Sequence, residues 1–125
     1  MDAIQIKFFA TGLFLLFIFL SGLWVSRSGK PYNVFIFNIH KFIGLGMGAF
    51  LITTVYRFNQ AVPLSPIETT SIVITVLLFL ITVAAGGLLS VEKEMPLLVS
   101  LVHKFSPYLI VLSTAATLYL LLYRE

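Results

Sequence analysis

The chain has 125 residues, 59% of them hydrophobic and only 10% charged, and its mean hydropathy is +1.05; a water-soluble domain carries roughly a quarter charged residues. At about 20 apolar residues per membrane crossing, this length provides for four crossings and no soluble domain beside them, which excludes a nucleotide-binding domain or a large catalytic domain. Cysteine is absent, so disulfides, thiolate metal sites, iron-sulfur clusters and covalently attached c-type haem are excluded, and the net charge of +3 comes without the basic run that nucleic-acid binding would require.

Four spans follow in chain order. Residues 8–26, between Lys7 and Arg27, are uncharged and rich in Phe, Leu and Ile, long enough for a membrane helix. A signal peptide is the other reading, but no A-x-A-like cleavage site precedes Arg27, so the segment reads as a retained anchor. The second span covers residues 31–56, and between Lys30 and Arg57 its only ionisable residues are His40 and Lys41. The third, residues 69–91 between Glu68 and Glu92, contains no charge. The fourth, residues 96–123, is interrupted only by His103 and Lys104. Pro31 and Pro96 suit the first position of a helix, where a missing N–H is no loss. Connections at 27–30, 57–67 and 91–95 are short enough to make successive helices antiparallel neighbours. The expected fold is an all-α integral membrane protein, an up-and-down four-transmembrane-helix bundle.

The two halves resemble each other. Ser21-Gly22-Leu23 matches Gly86-Gly87-Leu88, His40-Lys41-Phe42 matches His103-Lys104-Phe105, Tyr56 and Tyr119 follow the histidines at equal distance, and Tyr56-Arg57 and Tyr123-Arg124 close the halves. A duplicated helical hairpin with an even number of crossings keeps its orientation, which relates the halves by a pseudo-twofold axis along the membrane normal and puts both histidines at one depth.

Ionisable residues inside a membrane are costly and point to function. The bland reading is a histidine at the interface beside a snorkelling lysine, copied by duplication. Lys41 and Lys104 do argue for shallow placement, since each would cost about 2.5–3.5 kcal/mol at the bilayer centre. In favour of a site, the second and fourth helices are diagonal in such a bundle, and cofactor sites in bundles are built from facing core residues. Two imidazoles at equal depth match the two axial positions of a haem iron. Zinc, which takes three or four protein ligands, suits them less, because the nearest carboxylates, Glu92 and Glu94, fall in a loop. The helical stripe through His40 collects Gly44, Met47, Leu51 and Thr54, and that through His103 collects Pro107, Ile110, Thr114 and Thr117. Gly44 with Gly48 forms a small-xxx-small pattern. That pattern and the stretch 84–87 give either clearance for a flat macrocycle, making Gly44 a candidate cofactor contact, or plain helix packing.

Arg27, Lys30, Lys41, Lys93 and Lys104 belong to the histidine side and Lys7, Arg57 and Arg124 to the other, an excess that places the histidines at the cytoplasmic face and both termini outside. Lys41 and Lys104 are also candidates to pair with haem propionates, against ordinary topology signalling. Trp24 and the tyrosines lie mainly near helix ends, as an interfacial belt does, and Met47 and Met95 read as packing residues. There is no Ser/His/Asp constellation, intramembrane carboxylate pair or phosphate-binding Gly loop on which hydrolysis or phosphoryl transfer could rest.

Four membrane helices with an inward histidine on each of two, His40 and His103 in His-Lys-Phe contexts, resemble the membrane b-type cytochromes, whose helical bundles bind haem non-covalently. The resemblance implies one haem b per chain, one-electron transfer as the activity of an electron-transfer or oxidoreductase subunit, and a quinol or a redox protein as partner. Two other functions compete: a small transporter or proton-coupled channel, with Thr53, Thr54, Thr82, Thr114 and Thr117 along its bore and titrating histidines, and a structural subunit of a larger membrane complex. A homo-oligomer is compatible with each; a homodimer would bring four histidines together.

Overall fold

A computed structural model describes residues 3–29, 33–91 and 94–123. They form four α-helices: α1 (Ala3–Ser28), α2 (Val34–Ala61), α3 (Pro66–Leu89) and α4 (Leu97–Leu122). The shortest, α3, has 24 residues, about 36 Å at 1.5 Å per residue, against a hydrocarbon core of about 30 Å. All four are long and apolar enough to cross a membrane, and the chain is a multi-pass, all-α integral membrane protein.

The helices extend past the charge-free runs that announce them. Lys7 lies inside α1 and Arg57 inside α2. A long basic side chain can reach the interface while its backbone stays helical, and in lipid each further intrahelical hydrogen bond spares a polar group that has no water to turn to. Consequently the connection expected over 57–67 shrinks to the four residues between Ala61 and Pro66.

The helix ends show why the chain turns where it does. Gly29 follows α1 with φ of 71°, the left-handed conformation that ends helices and that glycine adopts without penalty. Asn33 caps α2, its Oδ1 accepting from the N–H groups of Phe35 and Ile36 at 2.9 and 3.2 Å. At α3 a capping box forms: Glu68 N–H donates to Ser65 Oγ, and Ser65 N–H donates to Glu68 Oε1 at 3.0 Å, with Pro66 in the first turn. This start lies three residues before the expected one. Pro96 stands at the N-cap of α4, one position outside the expected place. Pro31, expected to open α2, lies outside the described residues, as do Lys30, Tyr32, Glu92, Lys93 and Arg124.

The chain divides into two compact units, Met1–Pro63 and Leu64–Glu125. Each is a helical hairpin, α1 packed on α2 and α3 on α4. In the first, Phe14 of α1 meets Phe50 of α2 with ring centroids 5.6 Å apart, and the glycines of α2 let α1 approach: a Cβ on Gly44 would stand 3.3 Å from Ile18 Cδ1, and one on Gly46 3.4 Å from Phe14 Cε1. The second hairpin closes differently, with hydroxyls. Ser71 bonds Thr117 at 2.6 Å, Thr75 bonds both Ser113 and Thr117, and Thr82 bonds Ser106. Such interhelical bonds in membranes average about 0.6 kcal/mol each, so the seam specifies register as much as it stabilises. The outward faces are apolar: Phe9, Phe17 and Leu20 on α1 and Leu77, Leu80 and Val83 on α3 are each about half exposed, a composition that lipid tolerates and water does not.

Candidate functional site

Each hairpin seats its histidine in the same way. His40 lies six residues after Val34, the first residue of α2, and His103 six residues after Leu97, the first residue of α4. Both are therefore about 9 Å along their helices from the connecting loop of their own hairpin. Both are half-buried.

Across hairpin one, the His40 ring lies on Gly22 of α1. A Cβ at Gly22 would come within 3.0 Å of His40 Cε1 and 3.4 Å of Nδ1. Across hairpin two the His103 ring lies closer still on Gly86 of α3, where a Cβ would stand 2.6 Å from Cε1 and 3.1 Å from Nδ1. Real Cβ atoms do not approach that closely, so glycine is what lets each imidazole reach the neighbouring backbone. By contrast, a Cβ on Gly87 would meet nothing within 4 Å. The sequence match paired Gly22 with Gly87; the structure pairs Gly22 with Gly86, a slip of one residue that brings the two halves into closer correspondence.

The ring orientations are fixed by hydrogen bonds at Nδ1. His103 Nδ1 lies 2.9 Å from the Thr82 carbonyl oxygen. A carbonyl only accepts, so Nδ1 carries the proton and donates, and the lone pair of the neutral ring resides on Nε2. His40 Nδ1 lies 2.9 Å from Ser21 Oγ, which also lies 3.1 Å from the Ile18 carbonyl oxygen. The Ser21 hydroxyl can donate or accept, so it anchors the His40 ring at Nδ1 in either tautomer. The two hairpins anchor their rings by different partners, a side-chain hydroxyl in the first and a main-chain carbonyl in the second.

The remaining site residues fall as follows. Lys41 and Lys104, next in chain to the histidines, are exposed. Gly44 makes the α1 contact already described, so the observed neighbour of its missing side chain is Ile18. The stripe through His40 is the inner face of α2, with Met47 and Thr54 buried, and the stripe through His103 is an inner face of α4, with Ile110, Thr114 and Thr117 buried. Thr53, Thr54, Thr82 and Thr117 each donate their hydroxyl hydrogen to the carbonyl four residues earlier. They are thus satisfied within their own helices; the buried Thr114 hydroxyl, like that of Thr11, has no hydrogen-bond partner among the described residues. No group of three or more His, Asp or Glu side chains comes together among the described residues.

The roles of Ser21 and Thr82 as imidazole partners were not anticipated from sequence. A signal exists: Gly22 and His40 are equally far from Pro31, and Gly86 and His103 nearly equally far from Glu94, so reflection about each loop pairs the residues at one depth. No family model matches this chain, and no match was found among curated proteins or among solved structures.

Proposed function

We propose that the chain is a b-type cytochrome-like electron-transfer protein of the membrane, in which His40 and His103 would hold one haem b through their ring nitrogens. The observation that carries this reading is the matched anchoring of the two rings. Metal-ligating histidines characteristically donate their other ring N–H to a carbonyl, carboxylate or hydroxyl, which fixes the tautomer, holds the ring and makes the ligating nitrogen more basic. His103 has that arrangement with the Thr82 carbonyl, and His40, at the same place in its hairpin, has Nδ1 on the Ser21 hydroxyl. Two ring-anchored imidazoles are the kind of donors that a haem iron takes. Haem held in this way supplies a one-electron centre whose potential follows from its axial ligands, their hydrogen bonds and burial. The residues of this chain contribute the two nitrogens, the glycine floors under the rings and the Nδ1 partners. A quinol or a redox protein is the partner that such a centre requires. The same reading puts the histidine ends at the cytoplasmic face, following the charge excess.

The reading is tested by titrating ferric haem into the haem-free chain in mild detergent. Uptake should saturate at one haem per chain with a sharp low-spin spectrum; uptake that never saturates, or no uptake, contradicts it. Lys41 and Lys104 are assigned to the propionates on their proximity in chain and their exposure. In the Lys41→Gln, Lys104→Gln double variant, haem should bind about five- to thirtyfold more weakly, as expected for the loss of two surface-exposed ion pairs of about 0.5–1 kcal/mol each, with a shifted midpoint potential. An unchanged affinity and midpoint would remove the assignment.

A further inference from the structure

At the end of hairpin one away from His40, an open cleft of about 330 Å³ is lined by Lys7 of α1 and by Ala49, Phe50, Thr53, Thr54 and Arg57 of α2, within the size range of about 300–1,000 Å³ typical of ligand sites. Its chemistry is lopsided. Two cations line it, and the described residues of Met1–Pro63 include no acid; Asp2 lies outside them. The Thr53 and Thr54 hydroxyls spend their hydrogens on the carbonyls of Ala49 and Phe50, which leaves Lys7 and Arg57 as the charged donors. Lys7 is also held in place: its Nζ stands 4.3 Å from the centroid of the Phe58 ring, a cation–π contact that keeps the ammonium beside the helix pair. Arg57 adds a planar fork suited to paired phosphate oxygens. Lys7 bounds the uncharged run of α1 and Arg57 that of α2, which sets both at the level where the bilayer gives way to headgroups.

We propose that this cleft is a binding site for the phosphate of an anionic phospholipid, gripped by Lys7 and Arg57, with the acyl chains lying along the apolar faces of α1 and α2. A lysine ammonium and an arginine fork in a cleft between two transmembrane helices are donors suited to phosphate oxygens. The site is separate from the histidine seats and does not depend on haem.

The test is native mass spectrometry of the full chain released from detergent with added phosphatidylglycerol or phosphatidylcholine. The wild-type chain should retain phosphatidylglycerol over phosphatidylcholine, and Lys7→Gln and Arg57→Gln should each reduce that preference about fivefold, the expectation per basic residue near an anionic surface. Arg27→Gln, which removes one equally exposed charge at the other end of α1, should leave it unchanged. Equal preference in wild type, Lys7→Gln and Arg57→Gln overturns the proposal. So does an Arg27→Gln loss as large as that of Arg57→Gln, because net charge would then suffice. Displacement of bound phosphatidylglycerol by millimolar inorganic phosphate also overturns it, since the cleft would then be a site for free anions.

Discussion

Replacing either His40 or His103 with alanine is expected to abolish low-spin haem binding, and each single variant should fail as completely as the double. The reason is coordinate chemistry. A haem iron with two imidazoles is low-spin, and removing one leaves a five-coordinate or water-ligated centre whose spectrum broadens and whose affinity falls by more than the roughly 10- to 100-fold that follows loss of a ligand's outer partner. Because the rings are equivalent in register, neither variant should be the milder. Visible spectra of each variant, loaded with haem and checked by circular dichroism for retained helix, decide the matter. Unaltered low-spin spectra in both single variants would reject the axial assignment outright.

The second expected result concerns residues that carry no chemistry at all. Gly86→Ala should weaken haem binding about 10- to 100-fold, the range for disturbed outer partners of a ligand, and Gly22→Ala should weaken it less. The order follows from the two clearances. At Gly86 the new methyl would fall 2.6 Å from the His103 ring, so the imidazole must move off the α3 backbone and lose its bond to the Thr82 carbonyl. At Gly22 the methyl would fall 3.0 Å from the His40 ring, a conflict that a smaller shift relieves. Gly87→Ala is the matched control, one residue away with open space around it. It should bind haem as wild type does and gain about 0.5–1 kcal/mol of helix stability from losing a glycine. A haem titration of the three variants reads the order directly. Equal affinity in Gly86→Ala and Gly87→Ala would show that the glycine seat does not orient the ligand.

Most of the architecture was legible in the sequence, for a physical reason. A charge-free run of 19 or more residues has few alternatives to a membrane helix, and Lys7, Arg27, Glu68 and Glu92 delimit two such runs. The inner faces were legible too, since the period of 3.6 residues carried from His40 reaches Met47 and Thr54, both buried. Helix ends were less so. Charge marks where a span leaves the hydrocarbon, whereas capping decides where the helix ends; α2 runs four residues past Arg57, and α3 begins at Pro66 because Ser65 and Glu68 cap it. The Ser-x-x-Glu spacing ahead of an apolar run was the available signal for that start.

The candidate site divides along a similar line. That His40 and His103 are equivalent could be read from their His-Lys-Phe settings, because duplication copies sequence. Which nitrogen of His103 bears the proton could not, because that depends on contacts of tenths of an ångström between helices. Nor does the repeat announce where it lapses. Ser113 occupies in hairpin two the register that Phe50 holds in hairpin one, so one hairpin closes on a tilted pair of phenylalanines and the other on hydroxyls. Across that difference each histidine still lies on a glycine of the neighbouring helix.

The most direct test of the central claim is the visible spectrum of the chain purified in mild detergent from cells supplied with haem, recorded oxidised and after dithionite reduction. The account predicts a coloured protein with a strong Soret peak and sharp reduced α and β bands, the signature of two imidazoles on one haem. A colourless protein that also takes up no added haem would contradict it, and the paired histidines would then belong to a transport pathway or to assembly with other membrane subunits.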